Sequence, residues 1–103
     1  MALVLATVWL AACSGGPPEV AVDDPELVSG RNIYARNCAS CHGSSGGGGV
    51  GPKLSEGAVV VAYPNIEDQI DLISNGRGRM PGYMGRLSGE EMQAVARYTR
   101  EIL

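Results

Sequence analysis

The sequence predicts one all-α domain with three main helices and long loops between them. Three stretches carry apolar residues at helical spacing, and each follows a residue typical of a helix N-cap. The apolar run at 58–63 is the one strand candidate, and it has no partner with which to pair. The 15 Gly and 6 Pro in 103 residues indicate long ordered loops. A domain this small buries little surface, so we expect a bound group or cross-link to stabilise it.

The chain begins with an uncharged apolar run, "MALVLATVWLAAC", which ends at the first of three cysteines. The run has the length of a signal peptide and is too short for a helix that crosses a bilayer. Its last four residues resemble a bacterial lipobox. We therefore predict a signal peptide at 1–12, cleaved before Cys13, and a lipid thioether on Cys13. The alternative is an ordinary cleaved signal peptide with a spare cysteine, and no Lys or Arg precedes the run.

A flexible tether is predicted at 13–24. This stretch combines Ser, Gly and Pro with acidic residues and has no hydrophobic face, which is typical of a solvated linker. Such a tether would hold the folded domain, residues 25–103, near a membrane and leave it free to turn.

Asp24 and Pro25 predict the start of the first helix, as the N-cap and the first helical residue. Leu27 and Tyr34 belong to its apolar face. Gly30 lies inside this helix, where glycine costs ~1 kcal/mol relative to alanine unless another element packs closely against it.

Two further helices follow the glycine-rich stretch "SSGGGGVGPKL", which cannot form regular structure. The second helix is predicted to begin at Asn65 and to end at Gly76. Ser88 and Glu91 form a capping box that opens the last helix, whose inward stripe includes Met92. Because loops this long are uncommon in a compact domain, we expect them to wrap a large bound group.

The stretch "CASCH" at 38–42 contains two of the three cysteines and the only histidine. A zinc site needs four nitrogen or sulfur ligands, and the chain has no second pair. A thioredoxin-like dithiol expects a preceding strand and an α/β chain, and it would give His42 no role. An exported dithiol stays open as an alternative.

Cys-x-x-Cys-His is the attachment signature of c-type haem. Cys38 and Cys41, one turn apart, can add to the two vinyl groups of the macrocycle, and the imidazole of His42 can then bind the iron. For the other face of the iron, Met80 is favoured because Pro81 fixes the backbone after it and glycines surround it. Met84 is predicted to line the pocket instead.

Four segments resemble the small class I c-type cytochromes: "GRNIYARNCASCHG", "GPKL", "ISNGRGRMPGYMGRLS" and "AVARYTREIL", in that order within 24–103. The resemblance implies the class I cytochrome c fold around one covalent haem c. It also implies that the first and last helices cross at Gly30, with Tyr34 and Tyr98 beside the crossing.

The same resemblance implies that the carbonyl of Pro52 accepts the proton on Nδ1 of His42, which orients the ring. The resemblance does not predict the backbone path of the glycines at 46–49, because this run is more flexible in composition than the family's usual loop. The side chains that it places against the haem are Leu54, Ile70, Ile73 and Tyr83.

His and Met on both faces of the iron leave no open position for a substrate, so the sequence predicts a single-electron carrier and not an enzyme. A haem c electron-entry subunit of a larger oxidase or dehydrogenase is the alternative, and a haem enzyme or gas sensor is a third. The predicted partners are redox proteins, and the predicted location is extracytoplasmic with a lipid anchor. A net charge of −3 argues against nucleic acid.

Three arginines, at positions 77, 79 and 86, surround the predicted methionine ligand. One interpretation is that they steer the protein toward an acidic patch on a redox partner. The other is that they are solvated loop charges, or that one of them neutralises a haem propionate.

Overall fold

The computed structural model describes residues 16–103, so the predicted signal peptide and Cys13 lie outside the described residues. Within that range the chain forms five helices: α1 Pro25–Asn37, α2 Ala39–His42, α3 Ala58–Ala62, α4 Ile66–Asn75 and α5 Gly89–Glu101. The three longest are the predicted main helices, and the described residues contain isolated bridges but no strand. The all-α prediction is confirmed. The apolar run that was the only strand candidate forms the short helix α3.

The helix termini follow from local capping. The carboxylate of Asp24 accepts a bond of 3.1 Å from the backbone N–H of Leu27, and the predicted capping box at Ser88 and Glu91 is formed. Asn65 occupies the N-cap of α4, but its side chain makes no capping bond. α4 ends at the residue the sequence indicates, at a glycine with φ of 73°.

α1 and α5 cross at Gly30, as the resemblance implies. A Cβ on Gly30 would stand 2.8 Å from Cβ of Tyr98 and would overlap the carbonyl of Ala94. The rings of Tyr34 and Tyr98 pack beside the crossing, with centroids 5.6 Å apart. Close approach of the two backbones thus offsets the cost of a glycine within a helix.

α5 is the central element, since it packs against α1, α3 and α4. Its inward stripe includes Met92, Val95 and Ala96, all nearly or fully buried, as the helical spacing predicts. The remaining buried members of this core are Leu27, Ile33, Tyr34, Ile73, Tyr83 and Tyr98. Among residues 16–103, no helix has both the length and the apolar character that crossing a membrane requires.

Residues 16–24 lie against the folded domain. The guanidinium of Arg31 donates to the carbonyls of Pro17 and Pro18, at 2.8 and 3.2 Å. The hydroxyl of Tyr98 donates to the same carbonyl of Pro18 over 2.6 Å. The described part of the predicted tether therefore differs from a free linker, because its backbone carbonyls satisfy donors of α1 and α5. Its flexibility over 13–15 stays a prediction.

Candidate functional site

A cleft of about 610 Å³ opens beside the core and is walled by all five helices and by the loops around Pro52 and Met80. Its volume lies within the ~300–1,000 Å³ typical of pockets that bury a small ligand. Most of the residues predicted to form a site line this one cleft: Cys38, Cys41, His42, Pro52, Leu54, Ile73, Met80 and Tyr83. The sequence motifs, far apart in the chain, are thus brought together.

The two cysteines and the histidine are presented by α2, which is a single helical turn. Cys38 ends α1, where its N–H donates to the carbonyl of Tyr34 over 2.9 Å, and it is also the N-cap of α2. The N–H of His42 donates back to the carbonyl of Cys38 over 3.0 Å. This turn directs both thiols, which are free, and the imidazole into the same cleft.

The environment of Cys38 does not suit the nucleophile of a redox dithiol. Burial, with a smaller contribution from Cys41, raises the pKa of the Cys38 thiol to about 11. A nucleophilic cysteine in such a motif instead has its pKa lowered, typically to about 7 or below.

In the part of the chain that the structure describes, no group of three or more His, Cys, Asp or Glu is placed to hold a metal ion by itself.

The imidazole of His42 is oriented by Pro52. Its Nδ1 lies 2.8 Å from the carbonyl oxygen of Pro52. A carbonyl can only accept, so Nδ1 carries the proton, and in the neutral imidazole Nε2 then has the free lone pair. This is the arrangement that the resemblance implies, and it prepares Nε2 to bind a metal.

The glycine-rich loop follows a defined path around this histidine. The N–H of Gly48 donates to the carbonyl of His42 and that of Gly51 to the carbonyl of Cys41, each over 2.8 Å. These two bonds satisfy carbonyls at the end of α2 that the helix itself leaves open. The run of glycines is therefore an ordered cap on the turn that bears the motif.

Met80 is held by a tight turn. Its N–H and carbonyl exchange hydrogen bonds of 3.0 Å with the backbone of Arg77, and Gly78 between them has φ of 57°. The Met80 side chain is partly buried against the core and lines the cleft. Met84, by contrast, is 69% exposed and does not line it, so the prediction that Met84 lines the pocket is wrong. Its position in the loop turns it to the surface.

One predicted residue of α4 does not line the cleft. Ile73 does so together with Gln69 and Leu72, whereas Ile70 packs against the core from another side. At 100° per residue, Ile70 lies about a quarter turn from the face that these three share. The sequence reasoning missed Gln69, a buried polar residue that is satisfied by a 2.7 Å bond to Thr99.

Tyr83 joins three parts of the wall. Its hydroxyl donates to the carbonyl of Asn37 over 3.0 Å, and its N–H donates to the carbonyl of Ile73 over 2.9 Å. Burial raises the pKa of Tyr83, so the hydroxyl stays a neutral donor at physiological pH. The guanidinium of Arg86 lies over the ring, 4.9 Å from its centre, where a cation–π contact is favourable.

The donor set fits a c-type haem. Two free thiols one turn apart can anchor it, and an imidazole with an available Nε2 and a thioether lie in the same cleft. The remaining wall is mainly apolar, and no buried side-chain nitrogen or oxygen in residues 16–103 lacks a hydrogen-bond partner. The buried polar atoms around the cleft are thus already paired, which suits a pocket for a large flat macrocycle.

Comparison with known proteins gives the same result. A family model described as "Cytochrome C oxidase, cbb3-type, subunit III" matches residues 25–98. Cytochrome c6 of Leptolyngbya boryana is 35% identical over 75 residues, which cover 71% of this chain and 88% of that protein.

Two solved structures have similar folds. Cytochrome cL from Hyphomicrobium denitrificans matches with a TM-score of 0.66 and 28% identity, over 75% of this chain and 47% of that chain. The chain therefore spans about half the length of cytochrome cL. Cytochrome c6 from the diatom Phaeodactylum tricornutum matches with a TM-score of 0.59 and 30% identity, over 71% of this chain and 88% of that one.

Proposed function

The chain belongs to the cytochrome c family and is a small class I c-type cytochrome, a single-electron carrier with one covalent haem c; from this premise we propose which residues hold the haem and where the carrier works. When bound, the haem supplies a single iron that cycles between the ferrous and ferric states. The rest of the function depends on how this chain anchors, ligates and shields that iron.

Cys38 and Cys41 would anchor the group through two thioethers, and His42 would ligate the iron through Nε2. The observation that carries this assignment is the 2.8 Å contact between Nδ1 of His42 and the carbonyl of Pro52, which leaves Nε2 free in the cleft that both cysteines line. The bond to Pro52 also increases the electron density on the ring and so strengthens its donation to a metal.

Met80 would bind the iron through its thioether. The paired backbone bonds to Arg77 fix the backbone that carries the thioether. A thioether ligand in an apolar pocket favours the ferrous state and raises the reduction potential. If His42 and Met80 both bind the iron, it would have no place left for a substrate, which suits a protein that only carries electrons.

Leu54, Ile73 and Tyr83 exclude water from the group. Ile73 and Tyr83 are at least nine-tenths buried, and Tyr83 ties α4 to the end of α1 through its hydroxyl and backbone bonds. A wall fixed in this way would limit the reorganisation that accompanies electron transfer.

The carrier works outside the cytoplasm, anchored by a lipid on Cys13 after cleavage of a signal peptide at 1–12. The support is the apolar run that ends in a lipobox-like "LAAC". An anchor of this kind would confine the search for redox partners to the vicinity of a membrane. Metabolic labelling with a radioactive fatty acid tests it: label in the native protein and none in Cys13→Ser supports the anchor.

A second function, as an electron-entry subunit of a larger respiratory complex, is favoured by one observation. The family model that matches residues 25–98 is described as a subunit of an oxidase. Stable co-purification with an oxidase or dehydrogenase from solubilised membranes would support the subunit, whereas isolation as a monomer would support the free carrier.

Met80→Ala tests the ligand set, with Met84→Ala as a matched control, since Met84 is exposed and outside the cleft. The Met80 variant is expected to lose the sulfur–iron absorption band and to bind carbon monoxide in the ferrous state, while the Met84 variant keeps the band. Tight binding of carbon monoxide by the native ferrous protein would contradict the carrier and support a gas sensor or haem enzyme.

A further inference from the structure

Gly51 lies against the face of the imidazole ring of His42. A Cβ on Gly51 would stand 2.8 Å from Cε1, 2.9 Å from Nδ1 and 3.2 Å from Nε2. These three distances are nearly equal, which places the Cβ above the face of the ring. A Cβ in the plane of the ring, beyond Cε1, would lie clearly farther from both nitrogens than from Cε1. Any side chain at 51 would therefore displace the ring or the loop.

Backbone conformation does not explain this glycine. Seven other glycines have positive φ, among them Gly43, Gly46 and Gly48 in the same loop, but Gly51 is not one of them. An L-residue can adopt the backbone conformation at 51, so the space above the ring is what requires glycine there.

The loop that carries Gly51 is fixed to the turn that carries the ring. The N–H of Gly51 donates to the carbonyl of Cys41 over 2.8 Å, and the carbonyl of Gly51 accepts from Gly49 over 2.9 Å. The next residue, Pro52, accepts from Nδ1 of His42 over 2.8 Å. Two consecutive residues therefore contact the same ring, one on its edge and one on its face.

We infer that Gly51 is a positioning residue that fixes, together with Pro52, the rotation of the His42 ring about its bond to the iron. A single hydrogen bond at Nδ1 lets the ring pivot about that contact, and a backbone packed on one face removes this freedom. The inference rests on the proposed role of His42 as an axial ligand. Since the ring plane sets how the imidazole orbitals mix with those of the iron, Gly51 influences the redox centre without being a ligand.

Gly51→Ala in the haem-loaded protein tests the inference, with Gly47→Ala as the matched control. Gly47 belongs to the same loop, also lacks a positive φ, and has open space where its Cβ would stand. Low-temperature electron paramagnetic resonance of the oxidised protein reports the orientation of the axial imidazole. We expect shifted principal g values in Gly51→Ala, native values in Gly47→Ala, and one covalently bound haem per chain in both.

Unchanged g values in a haem-loaded Gly51→Ala protein would overturn the inference. If that variant yields no haem-loaded protein, nuclear magnetic resonance of the reduced native protein decides. Cross-peaks between the α protons of Gly51 and the Cε1 proton of His42 support the contact, and their absence overturns it. Failure of the ligand set itself is distinguishable, because the native protein would then lack the sulfur–iron absorption band whatever residue stands at 51.

Discussion

The hydroxyl of Tyr98 in α5 donates to the carbonyl of Pro18, which precedes the first helix, over 2.6 Å. Tyr98 is fully buried, and burial raises its pKa, so its hydroxyl is a neutral donor that needs an acceptor inside the protein. Pro18 provides that acceptor. The residues just before α1 therefore complete the core at the crossing of α1 and α5.

Tyr98→Phe should lower the free energy of unfolding by about 1 kcal/mol, because it removes a buried hydrogen bond and little apolar volume. Guanidinium denaturation of the haem-loaded protein measures this. Val22→Ala, in the same segment but at a side chain that is 92% exposed, should change stability by less than about 0.5 kcal/mol. Equal stability of Tyr98→Phe and the native protein would show that the bond from Tyr98 to Pro18 contributes nothing to stability.

Gly30→Ala should destabilise the protein, although alanine is the better helix former by ~1 kcal/mol. The added methyl would lie 2.8 Å from Cβ of Tyr98 and would overlap the carbonyl of Ala94, so the two helices must move apart. Such overpacking typically costs about 1–3 kcal/mol. Gly89→Ala in α5 has no atom within 4 Å of the new methyl and should show no such loss. A Gly30→Ala protein as stable as the native one would contradict the close crossing.

The arginines at the mouth of the cleft offer a test of electrostatic steering. Arg77 and Arg79 line the cleft and are exposed, and the ion pairs found within residues 16–103 do not involve them. Replacing both with Gln should slow oxidation of the ferrous protein by ferricyanide roughly threefold at low salt, and the difference should vanish at high salt. Oxidation by the cationic hexaamminecobalt(III) should become faster.

Arg36→Gln is the matched control for these arginines. Arg36 is exposed at the end of α1, also outside those ion pairs, and it does not line the cleft. It should leave both rates near native values. The double variant could instead change both oxidation rates in the same direction and also shift the reduction potential. The arginines would then act on the iron, as neutralisation of a propionate would require. No change with either probe would exclude both roles.

The three main helices could be predicted because each carries a local signal that its tertiary contacts do not override. Asp24 before a proline and the capping box at Ser88 each fix a terminus by bonds within a few residues. A glycine within a helix lowers helix stability, so Gly30 also indicated a close contact at that position, and the crossing with α5 is that contact.

Other features depend on contacts distant in sequence and could not be predicted. The role of Pro18 depends on Tyr98, which lies 80 residues away. Ile70 has the spacing of a residue that faces the cleft, but the packing of α4 against α5 turns Gln69 and Ile73 there instead. Met84 resembles Met80 in its surroundings in the sequence, and only the path of the loop makes one exposed and the other partly buried.

The ion pair between Arg97 of α5 and Asp24 should make stability depend on pH in the acid range. The guanidinium of Arg97, 2.7 Å away, and the N–H of Leu27 hold the pKa of Asp24 below its usual range. A lowered pKa in the folded state stabilises the protein at pH values above the unfolded pKa of ~3.9, and this stabilisation is lost as the pH falls through the folded pKa.

Asp24→Asn keeps a residue suited to the N-cap but loses the charge. Its stability should therefore lie below that of the native protein at pH 6, and the two should converge as the pH falls through the folded pKa of Asp24. Thermal unfolding between pH 2.5 and 7 measures this, with the adjacent Asp23→Asn as control; a gap between native and Asp24→Asn protein that is the same at every pH would contradict the role of the charge.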